Sequence, residues 1–392
     1  MAARQHCPPW ADLRSELVGL ILGRLPLADR VRMGAACRPW RRAAQQEPLP
    51  PPLPWLALLD GAFLSVPGGE IHRRMTLPDD ASFYGSMGDW LLLKHSGGGD
   101  HSLMNPFTKD VVRIPKESFP LGRPTCSVKP VLLSTLDLSP DSSRFAILTT
   151  DDYRFESLIF VCQPGTSTAF TVPDCELISD MTFFDGKLYA LSLSNLYVLL
   201  DLETGSSSKG KLGARVDPSM TMSSVADAVD NPRVTCRTIA GEIRHVCAYW
   251  NYLVESSGKL LHVRRLIGYL ITSPEEGVGS SRTLSFEVFE ADLATNSGSR
   301  GEWRRVNALG GRALFVGMQS KSLPAPECGA REDCIYFVCD YDRGSSAADP
   351  LRDCGVFDMR TGMITPLLPD DVVVQQQGCK GRPTWFVPTK TI

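Results

Sequence analysis

One unit recurs along the chain from Trp55 onward, and it constrains the fold more than any other feature of the sequence. The unit is an apolar strand, a polar turn with Gly or Thr, and a second strand that often closes on an apolar residue and Pro. Its six copies are FLSVPGGEIHRRMTLP (63–78), LMNPFTKDVVRIP (103–115), FVCQPGTSTAFTVP (160–173), LYVLLDLETGSSSKGKLG (196–213), FEVFEADLATNSGSRGEWRRV (286–306) and VFDMRTGMITPLLP (356–369). Short apolar strands fill the intervals, so the region is predicted to consist of β-hairpins.

The spacing of these units favours a β-propeller. The alternation of turns and strands repeats about every 40–70 residues, and this period is close to the length of one propeller blade. Radial blades leave few exposed sheet edges, so an all-β chain of this size can stay soluble. A β-sandwich is the alternative fold, but six similar hairpins exceed what one sandwich needs. We therefore predict a mainly β chain with a β-propeller of about six blades.

Two of the units contain turns of the same pattern, DLETG and DMRTG. Asp201 and Asp358 can accept hydrogen bonds from the N–H groups that follow them. Gly205 and Gly362 can adopt the positive φ that closes such a turn. Both segments are therefore predicted to be tight turns between strands.

Residues 10–47 have a different character and predict three short helices. Asp12 can cap the first helix, and Pro26 ends it because proline lacks the backbone N–H. The apolar residues of this helix are Leu13, Leu17, Leu20 and Ile21 on one face, with Leu22 and Leu25 off that face. A helix that is apolar on more than one side needs two partners, one inside the module and one elsewhere.

The second helix is predicted to start at Asp29 and to carry Val31, Met33 and Ala36. Pro39 interrupts it, and Trp40–Ala44 can form a third turn or two. The prolines of EPLPPPLP favour a stiff, extended spacer over residues 48–54. The chain thus divides into a helical module at 10–47, a linker at 48–54 and the β-region at 55–388.

Charge and cysteine content bound the class of protein. Residues 1–47 hold eight Arg and four acidic residues, and the remaining residues hold 33 basic and 40 acidic ones. No basic stripe with interleaved aromatic residues follows, so the arginines predict solvated helix faces and no nucleic-acid partner. No apolar run reaches the roughly 18–20 residues that cross a bilayer, and no secretory signal is recognisable. The twelve Cys are therefore expected to be reduced thiols in the cytoplasm or nucleus.

The N-terminal residues resemble the F-box motif. The matching positions are Leu13, Leu17, Ile21, Leu22, Leu25, Pro26, Asp29, Val31, Cys37, Trp40 and Arg41. They correspond to a Leu-Pro start, an Ile-Leu pair, a Leu-Pro-x-x-Asp turn and a Val-Cys-x-x-Trp-Arg end. Arg14 stands where the motif usually has its opening proline, and Ala36 replaces the usual Val.

The β-region resembles the plant KIB-type β-propeller family, which is frequently joined to an F-box. The resemblance rests on NPFTKDVVRIP, YLVESSGKLLHVRR, FEVFEADL, WRRVNALGGRALFVG, IYFVCD, CGVFDMRTG and PTWFVP, in the order of the family. It implies a non-catalytic substrate-receptor subunit of a Skp–cullin–F-box ubiquitin ligase. The partners would be a Skp-type adaptor, through it a cullin, and a protein target bound by the propeller.

The eleven motif positions are then candidate adaptor contacts, with Leu22, Leu25 and Trp40 as anchors and Arg41 nearby. Some of them can equally fill the core of the module itself. Two other functions stay open: a propeller that binds a small molecule or acts as an enzyme, and a scaffold whose F-box no longer engages the ligase because Arg14 replaces proline.

No motif in the sequence points to a metal, a cofactor or a catalytic centre. The chain has no C-x-x-C pair, and Cys334 and Cys339 of the nearest cluster should face opposite sides of a strand. The cluster around Cys236, His245 and Cys247 has no evident fourth ligand, so the thiols are expected to be buried and free. GVGSSR (277–282) has no third glycine and no Lys, which predicts an inter-strand loop and no phosphate site.

Target recognition is sought in the long irregular loops 206–235, 273–283 and 342–353, which can equally be mere insertions. The tryptophans of the β-region that lie in or beside predicted strands are Trp90, Trp250, Trp303 and Trp385. We expect these four to pack between blades, because propellers bury such aromatic residues where one sheet faces the next.

Overall fold

A ring of β-sheets follows a small helical module in this computed structural model. The residues that the structure describes are 10, 13–23, 33, 36–46, 54–58, 62–64, 66, 71–72, 78, 80–87, 90–96, 100–105, 109–114, 126–133, 145–151, 156–163, 166–171, 177–192, 196–201, 237–239, 243–273, 277–293, 302–341, 351–368 and 383–386. The mainly β character predicted from the sequence is confirmed.

The helical module contains helix α1 (Ser15–Gly23) and helix α2 (Arg38–Gln46). The backbone oxygen of Arg14 accepts hydrogen bonds from the N–H groups of Leu17 and Val18, which starts α1. Pro39 is the second residue of α2, so the expectation that the last helix begins after it, at Trp40, is wrong. Proline is tolerated in a first helical turn because that N–H has no partner there. Asp12 and the predicted start of the second helix at Asp29 lie outside the described residues.

Within the described residues, twenty-five strands form six sheets, which we number around the ring from the sheet that contains β4. Sheet 1 contains β4 (Ala81–Met87), β5 (Trp90–His95), β6 (His101–Met104) and β7 (Val111–Ile114); sheet 2 contains β8 (Cys126–Leu132), β9 (Phe145–Asp151), β10 (Glu156–Gln163) and β11 (Thr166–Thr171); sheet 3 contains β12 (Ile178–Phe184), β13 (Lys187–Ser192) and β14 (Leu196–Asp201).

The other three sheets complete the ring. Sheet 4 contains β15 (Arg237–Ile239), β16 (Ile243–Ser256), β17 (Lys259–Ser273), β18 (Gly277–Asp292) and β19 (Glu302–Val306); sheet 5 contains β20 (Arg312–Val316), β21 (Lys321–Pro324), β22 (Cys334–Phe337), β23 (Gly355–Asp358) and β24 (Ile364–Pro366), with helix α3 (Ala325–Cys328) after β21; sheet 6 contains β1 (Trp55–Ala57), β2 (Phe63–Leu64), β3 (Ile71–His72) and β25 (Thr384–Phe386).

The blade count differs from the expected six. Five of the sheets have the four or five strands of a complete blade, whereas sheet 3 has three within the described residues. The sequence of residues 196–213 predicts a full hairpin, but the described part of it ends with β14 at Asp201. The described residues therefore contain five complete blades and one smaller sheet.

Each sheet packs face to face on the next, as in a propeller. Six apolar clusters lie between consecutive sheets, from sheets 1 and 2 around to sheets 6 and 1. Trp90 and Trp385 are buried in two of these clusters, as predicted, whereas Trp250 and Trp303 are half-buried. Burial between sheets at about 25 cal/mol per Å² of apolar surface is the main force that holds such a ring together.

The ring is closed by pairing the two sequence ends of the β-region. Strand β25 pairs with β1, with Phe386 opposite Trp55, Trp385 opposite Leu56 and Thr384 opposite Ala57. The Nε1 of Trp385 also donates a hydrogen bond of 2.9 Å to the backbone oxygen of Val316 in sheet 5. Sheet 6 is therefore built from residues more than 300 positions apart, and its pairing joins the two sequence ends of the β-region.

Sheet 4 is longer than the rest of the ring. Strands β16, β17 and β18 have 14, 15 and 16 residues, and β19 pairs only with residues 288–292 of β18. We call residues 243–251, 264–273 and 277–287 the ribbon, since they extend sheet 4 beyond β19. The prediction of an irregular loop at 273–283 is wrong in its described part, because GVGSSR (277–282) begins β18 and pairs with β17.

The DMRTG turn forms as predicted. Oδ1 of Asp358 accepts hydrogen bonds from the N–H groups of Arg360 (2.9 Å) and Thr361 (3.2 Å). Gly362 has a φ of 72°, in the left-handed region that favours glycine. The matching turn glycine, Gly205, lies outside the described residues.

Candidate functional site

The helical module has a small core of its own. Val18 and Leu22 of α1 pack on Trp40 of α2, and all three are buried. Nε1 of Trp40 donates a hydrogen bond of 2.9 Å to the backbone oxygen of Trp10. Leu13, Ile21 and Cys37 pack around this core and are half-buried. The buried face of α1 is therefore set by Val18 and Leu22, four residues apart.

This face differs from the one expected. The sequence places Leu17 and Leu20 on the apolar face and Leu22 off it, but Leu22 is fully buried while Leu17 is 47% and Leu20 62% exposed. The position of Trp40 on α2 decides which side of α1 is covered, and spacing within α1 alone cannot show it. The two-sided apolar character is confirmed: one side is packed, and the other carries exposed leucines.

Seven of the eleven candidate adaptor residues are described. Leu22 and Trp40 lie in the module core, Leu13, Ile21 and Cys37 border it, and Leu17 and Arg41 are exposed. The remaining candidates lie outside the described residues: Leu25, Pro26, Asp29 and Val31. The assignment of these positions to an adaptor contact stays a prediction.

The most elaborate polar arrangement in the propeller surrounds Arg265 of β17. Its side chain has no exposed surface, and Nη1 donates hydrogen bonds to Val338 O (2.8 Å) and Asp340 Oδ1 (3.2 Å). Nη2 donates to Asp353 Oδ2 (2.9 Å), and Nε donates to Thr283 Oγ1 (2.8 Å). One guanidinium thus joins sheet 4 to the segments that precede and follow residues 342–350.

Asp353 is held from several sides. Its carboxylate accepts hydrogen bonds from the hydroxyl groups of Thr283 (2.6 Å) and Tyr341 (2.7 Å) and from the backbone N–H of Thr283 (3.1 Å). Burial, followed by the nearby Asp353 charge, raises the pKa of Tyr341, so its hydroxyl remains a donor. In this cluster each donor faces an acceptor, so the network stabilises the fold. We call Arg265, Asp340, Asp353, Thr283 and Tyr341 the clamp.

A second buried group ties three consecutive sheets together near the centre of the ring. Asp180 of β12 forms an ion pair with Lys129 of β8 and accepts a 2.8 Å hydrogen bond from the N–H of Leu253 in β16. Burial raises the pKa of Asp180, although the Lys129 charge opposes that shift. Gln319, which precedes β21 in sheet 5, donates a 2.7 Å hydrogen bond to Pro130 O in sheet 2, on the opposite side of the ring. This bond spans the centre of the propeller.

One arrangement has the spacing of a Ser-His-Asp triad that sequence motifs did not indicate. Nδ1 of His95 lies 3.1 Å from Asp80 Oδ2, and its Nε2 lies 2.9 Å from Ser102 Oγ. Ser102 is only 2% exposed and lies within strand β6, whereas a nucleophile must meet its substrate. The trio therefore fits a hydrogen-bond network that holds the end of sheet 1 together.

The cysteines with described side chains are free, and half of them are buried as predicted, whereas Cys37, Cys247 and Cys354 are half-buried. Cys328, Cys334 and Cys339 are buried and free, and Cys334 and Cys339 belong to apolar clusters on opposite sides of sheet 5. Burial raises the pKa of the Cys328 and Cys334 thiols, which keeps them protonated. Within the described residues, no group of three or more His, Cys, Asp or Glu side chains is arranged to hold a metal ion.

Two of the predicted recognition loops fall largely outside the described residues. Residues 206–235 are not described. Of the loop 342–353, only residues 351–353 are described, together with Tyr341, which precedes it. In the described part of the chain, no helix combines the length and apolarity needed to cross a bilayer.

Comparison with known proteins identifies the β-region. The family model described as KIB1-4 beta-propeller matches residues 63–358. The F-box/kelch-repeat protein At1g57790 of Arabidopsis thaliana is 30% identical over 345 residues, covering 84% of this chain and 82% of that protein. The putative F-box protein At5g66830 is 21% identical over 84% of this chain and 81% of its own length. The F-box protein At4g12382 is 28% identical over 28% of this chain and 83% of its own length, and it is also from Arabidopsis thaliana.

A chain of PorZ, a bacterial surface component of the type-IX secretion system of Porphyromonas gingivalis, aligns with 66% of this chain at 11% identity. The TM-score of 0.25 is too low for that alignment to carry an argument. The family match, in contrast, covers most of the ring described above, and it agrees with the resemblance found in the sequence. The chain belongs to the KIB1-4 β-propeller family, in which its relatives from Arabidopsis thaliana are F-box proteins.

Proposed function

We propose that this chain is the substrate-receptor subunit of a Skp–cullin–F-box ubiquitin ligase. The module at 10–47 is a three-helix F-box that binds a Skp-type adaptor and through it a cullin, and the propeller binds a protein target. The chain itself performs no catalysis, needs no cofactor and acts in the cytoplasm or nucleus.

The observation that carries this proposal is the uncovered side of α1. Leu17 and Leu20 lie three residues apart and are 47% and 62% exposed, while Val18 and Leu22 of the same helix are buried. An exposed apolar side on a short helix is a contact surface for a partner helix or groove. The F-box proteins among the relatives supply the class of partner.

The test is a pull-down of the full chain with a purified plant Skp-type adaptor. The double variant Leu17→Asp, Leu20→Asp should lower adaptor binding at least tenfold, because it places charge on the exposed side without touching the module core. The matched control is Val111→Asp, Met363→Asp, which makes the same change at exposed apolar residues of the propeller. Adaptor binding that survives the first variant, or that the wild type lacks, would refute the proposal.

The double change Ile21→Asp, Leu22→Asp should also abolish adaptor binding while the propeller stays folded. It acts by a different route, because Leu22 is fully buried and an aspartate there disrupts the module itself. Comparison of the two double variants by circular dichroism separates loss of the surface from loss of the helices.

A further inference from the structure

The ribbon makes the strands of sheet 4 longer than those of the other sheets in the ring. Outside β16, β17 and β18, the longest described strand is β10 with eight residues. At about 3.3 Å per residue, strands of 14–16 residues extend roughly 20 Å beyond such a strand. Most ring contacts of sheet 4 are made by its other half, around Leu253, Leu260 and Val263, and Phe286 of the ribbon adds a contact with sheet 5. The ribbon is therefore extra surface on a scaffold that closes without it.

One face of the ribbon is already covered. Arg265 and Ile267 point towards sheet 5, where Ile267 packs with Cys339 and Tyr341. Trp250 and Tyr269 border this cluster, with their rings 6.5 Å and 6.0 Å from that of Tyr341. Because Arg265 and Asp353 clamp this side, the ribbon is held rigidly against sheet 5.

The opposite face carries an apolar patch. Side chains alternate along a strand, so Arg264, Leu266 and Gly268 lie on this second face. Tyr249 pairs with Leu266, and both are half-buried. Leu284 approaches within 3.1 Å of the position that a Cβ on Gly268 would occupy, and Leu284 itself is 48% exposed. The Leu284 side chain thus lies over Gly268 and is the exposed apolar residue of this face.

The patch is bordered by positive charge. Arg282 is directly opposite Gly268 and is exposed. Arg264 stacks over the ring of Tyr249 at 4.0 Å, and Arg305 of β19 borders the same face. Glu287 is the acidic residue among them, 3.9 Å from Arg264 and 3.3 Å from Arg305. Three arginines against one glutamate give the border a positive balance, although residues 48–392 are acidic as a whole.

We propose that this face of the ribbon, defined by Tyr249, Leu266, Gly268, Leu284 and Arg282, is the target-docking surface of the propeller. The occupant is a peptide segment of another protein with an apolar side chain flanked by carboxylates. The apolar side chain packs on Leu284 and Leu266, and a carboxylate pairs with Arg282. This inference rests on the proposed function, since it places the target site of the receptor.

The test uses a displayed library of random 12-residue peptides, selected on the full chain. Enriched peptides should combine Asp or Glu with Leu, Ile, Phe or Tyr, and synthetic copies should bind with an affinity that falls as salt is raised. Leu284→Asp should weaken their binding at least tenfold, and Arg282→Glu about fivefold or more. The matched controls are Val111→Asp and Arg113→Glu, which alter an equally exposed Val and an exposed Arg on β7.

Several results would overturn the proposal: no enrichment over bare resin, peptides without acidic residues, or binding unchanged by Leu284→Asp and Arg282→Glu. Competition by a synthetic peptide of residues 206–235 would assign the face to the chain's own segment, which also overturns it. Arg282→Glu keeps the test decisive if Leu284→Asp lowers stability, because Arg282 is an exposed side chain. Adaptor pull-down with the same variants separates the two proposals, since the ribbon variants should bind adaptor as the wild type does.

Discussion

Replacement of Arg265 by Met should destabilise the propeller strongly. Methionine keeps much of the length of the side chain but removes every hydrogen bond of the guanidinium. Arg265 has no exposed surface, so water cannot replace those bonds, and the carboxylates of Asp340 and Asp353 lose their cation. Removal of one partner from a buried ion pair costs about 3–5 kcal/mol, because the other charge stays buried.

Contacts with aromatic rings add to that cost. The guanidinium carbon lies 4.6 Å from the ring centre of Phe337 and 5.0 Å from that of Tyr341. Such contacts contribute about 0.5–2 kcal/mol, depending on burial. Met retains part of the packing, so the expected loss is about 4–5 kcal/mol. This is a large share of the roughly 5–15 kcal/mol that stabilises a folded domain.

Equilibrium urea unfolding, followed by tryptophan fluorescence, measures this loss. The control is Arg264→Met on the other face of the same strand, where the ion pair with Glu287 spans 3.9 Å. This pair and the stack of Arg264 on Tyr249 should together contribute about 1–3 kcal/mol, which is less than the loss at Arg265. The triple variant Arg265→Met, Asp340→Asn, Asp353→Asn should recover more than half of the loss, because it removes the unpaired charges. A cost for Arg265→Met no larger than that for Arg264→Met would refute the clamp.

Three further predictions concern the module, pH and packing. Leu22→Ala should lower the stability of the module by about 2–5 kcal/mol, and Leu17→Ala by less than about 0.5 kcal/mol, as measured by amide hydrogen exchange in α1 and α2. Burial, with the Arg264 charge beside it, lowers the pKa of His262 to about 3, so the folded chain keeps it neutral while the unfolded chain binds a proton below about pH 6.5. The free energy of unfolding should therefore fall as the pH drops from 6.5 towards 3, by about 1.4 kcal/mol at pH 5.5. Urea unfolding at pH 7.5 and 5.5 measures this fall, and His262→Gln should remove its contribution to the difference between the two pH values. Gly355→Ala should cost about 1–3 kcal/mol in thermal melts because its Cβ would lie 2.9 Å from both Phe337 Cζ and Thr365 O, whereas Gly85→Ala, with nothing within 4 Å, should change little.

The sequence predicts the ring because the strands and turns of each sheet follow one another along the chain. Strand, turn and strand lie next to one another in the chain, so the DMRTG turn and the alternating strands around it can be read without knowledge of distant residues. Trp90 and Trp385 could be placed between sheets for the same reason, since large aromatic residues in strands are usually buried there.

The ribbon could not be predicted in this way. Its residues 277–283 are GVGSSRT, in which Val278 is the one apolar residue, and a segment without apolar alternation indicates a loop. They form a strand because β17 offers a continuous partner and because Asp353, some 70 residues away, receives the N–H of Thr283. The covered side of α1 was missed for a similar reason, since Trp40 on another helix decides it.

The pairing of β25 with β1 also fixes an order of events during synthesis. Helices α1 and α2 emerge from the ribosome before the ring does, and their core needs only residues up to 46. The ring cannot close until residues 384–386 emerge and complete sheet 6. At a synthesis rate of about 5–20 residues per second, the module is exposed for roughly 15–70 seconds before the ring closes. A chain that stops short of residue 384 keeps both helices but leaves β1 as an open sheet edge. If the module binds the adaptor as proposed, such a shortened chain would compete for the adaptor and would be prone to aggregate.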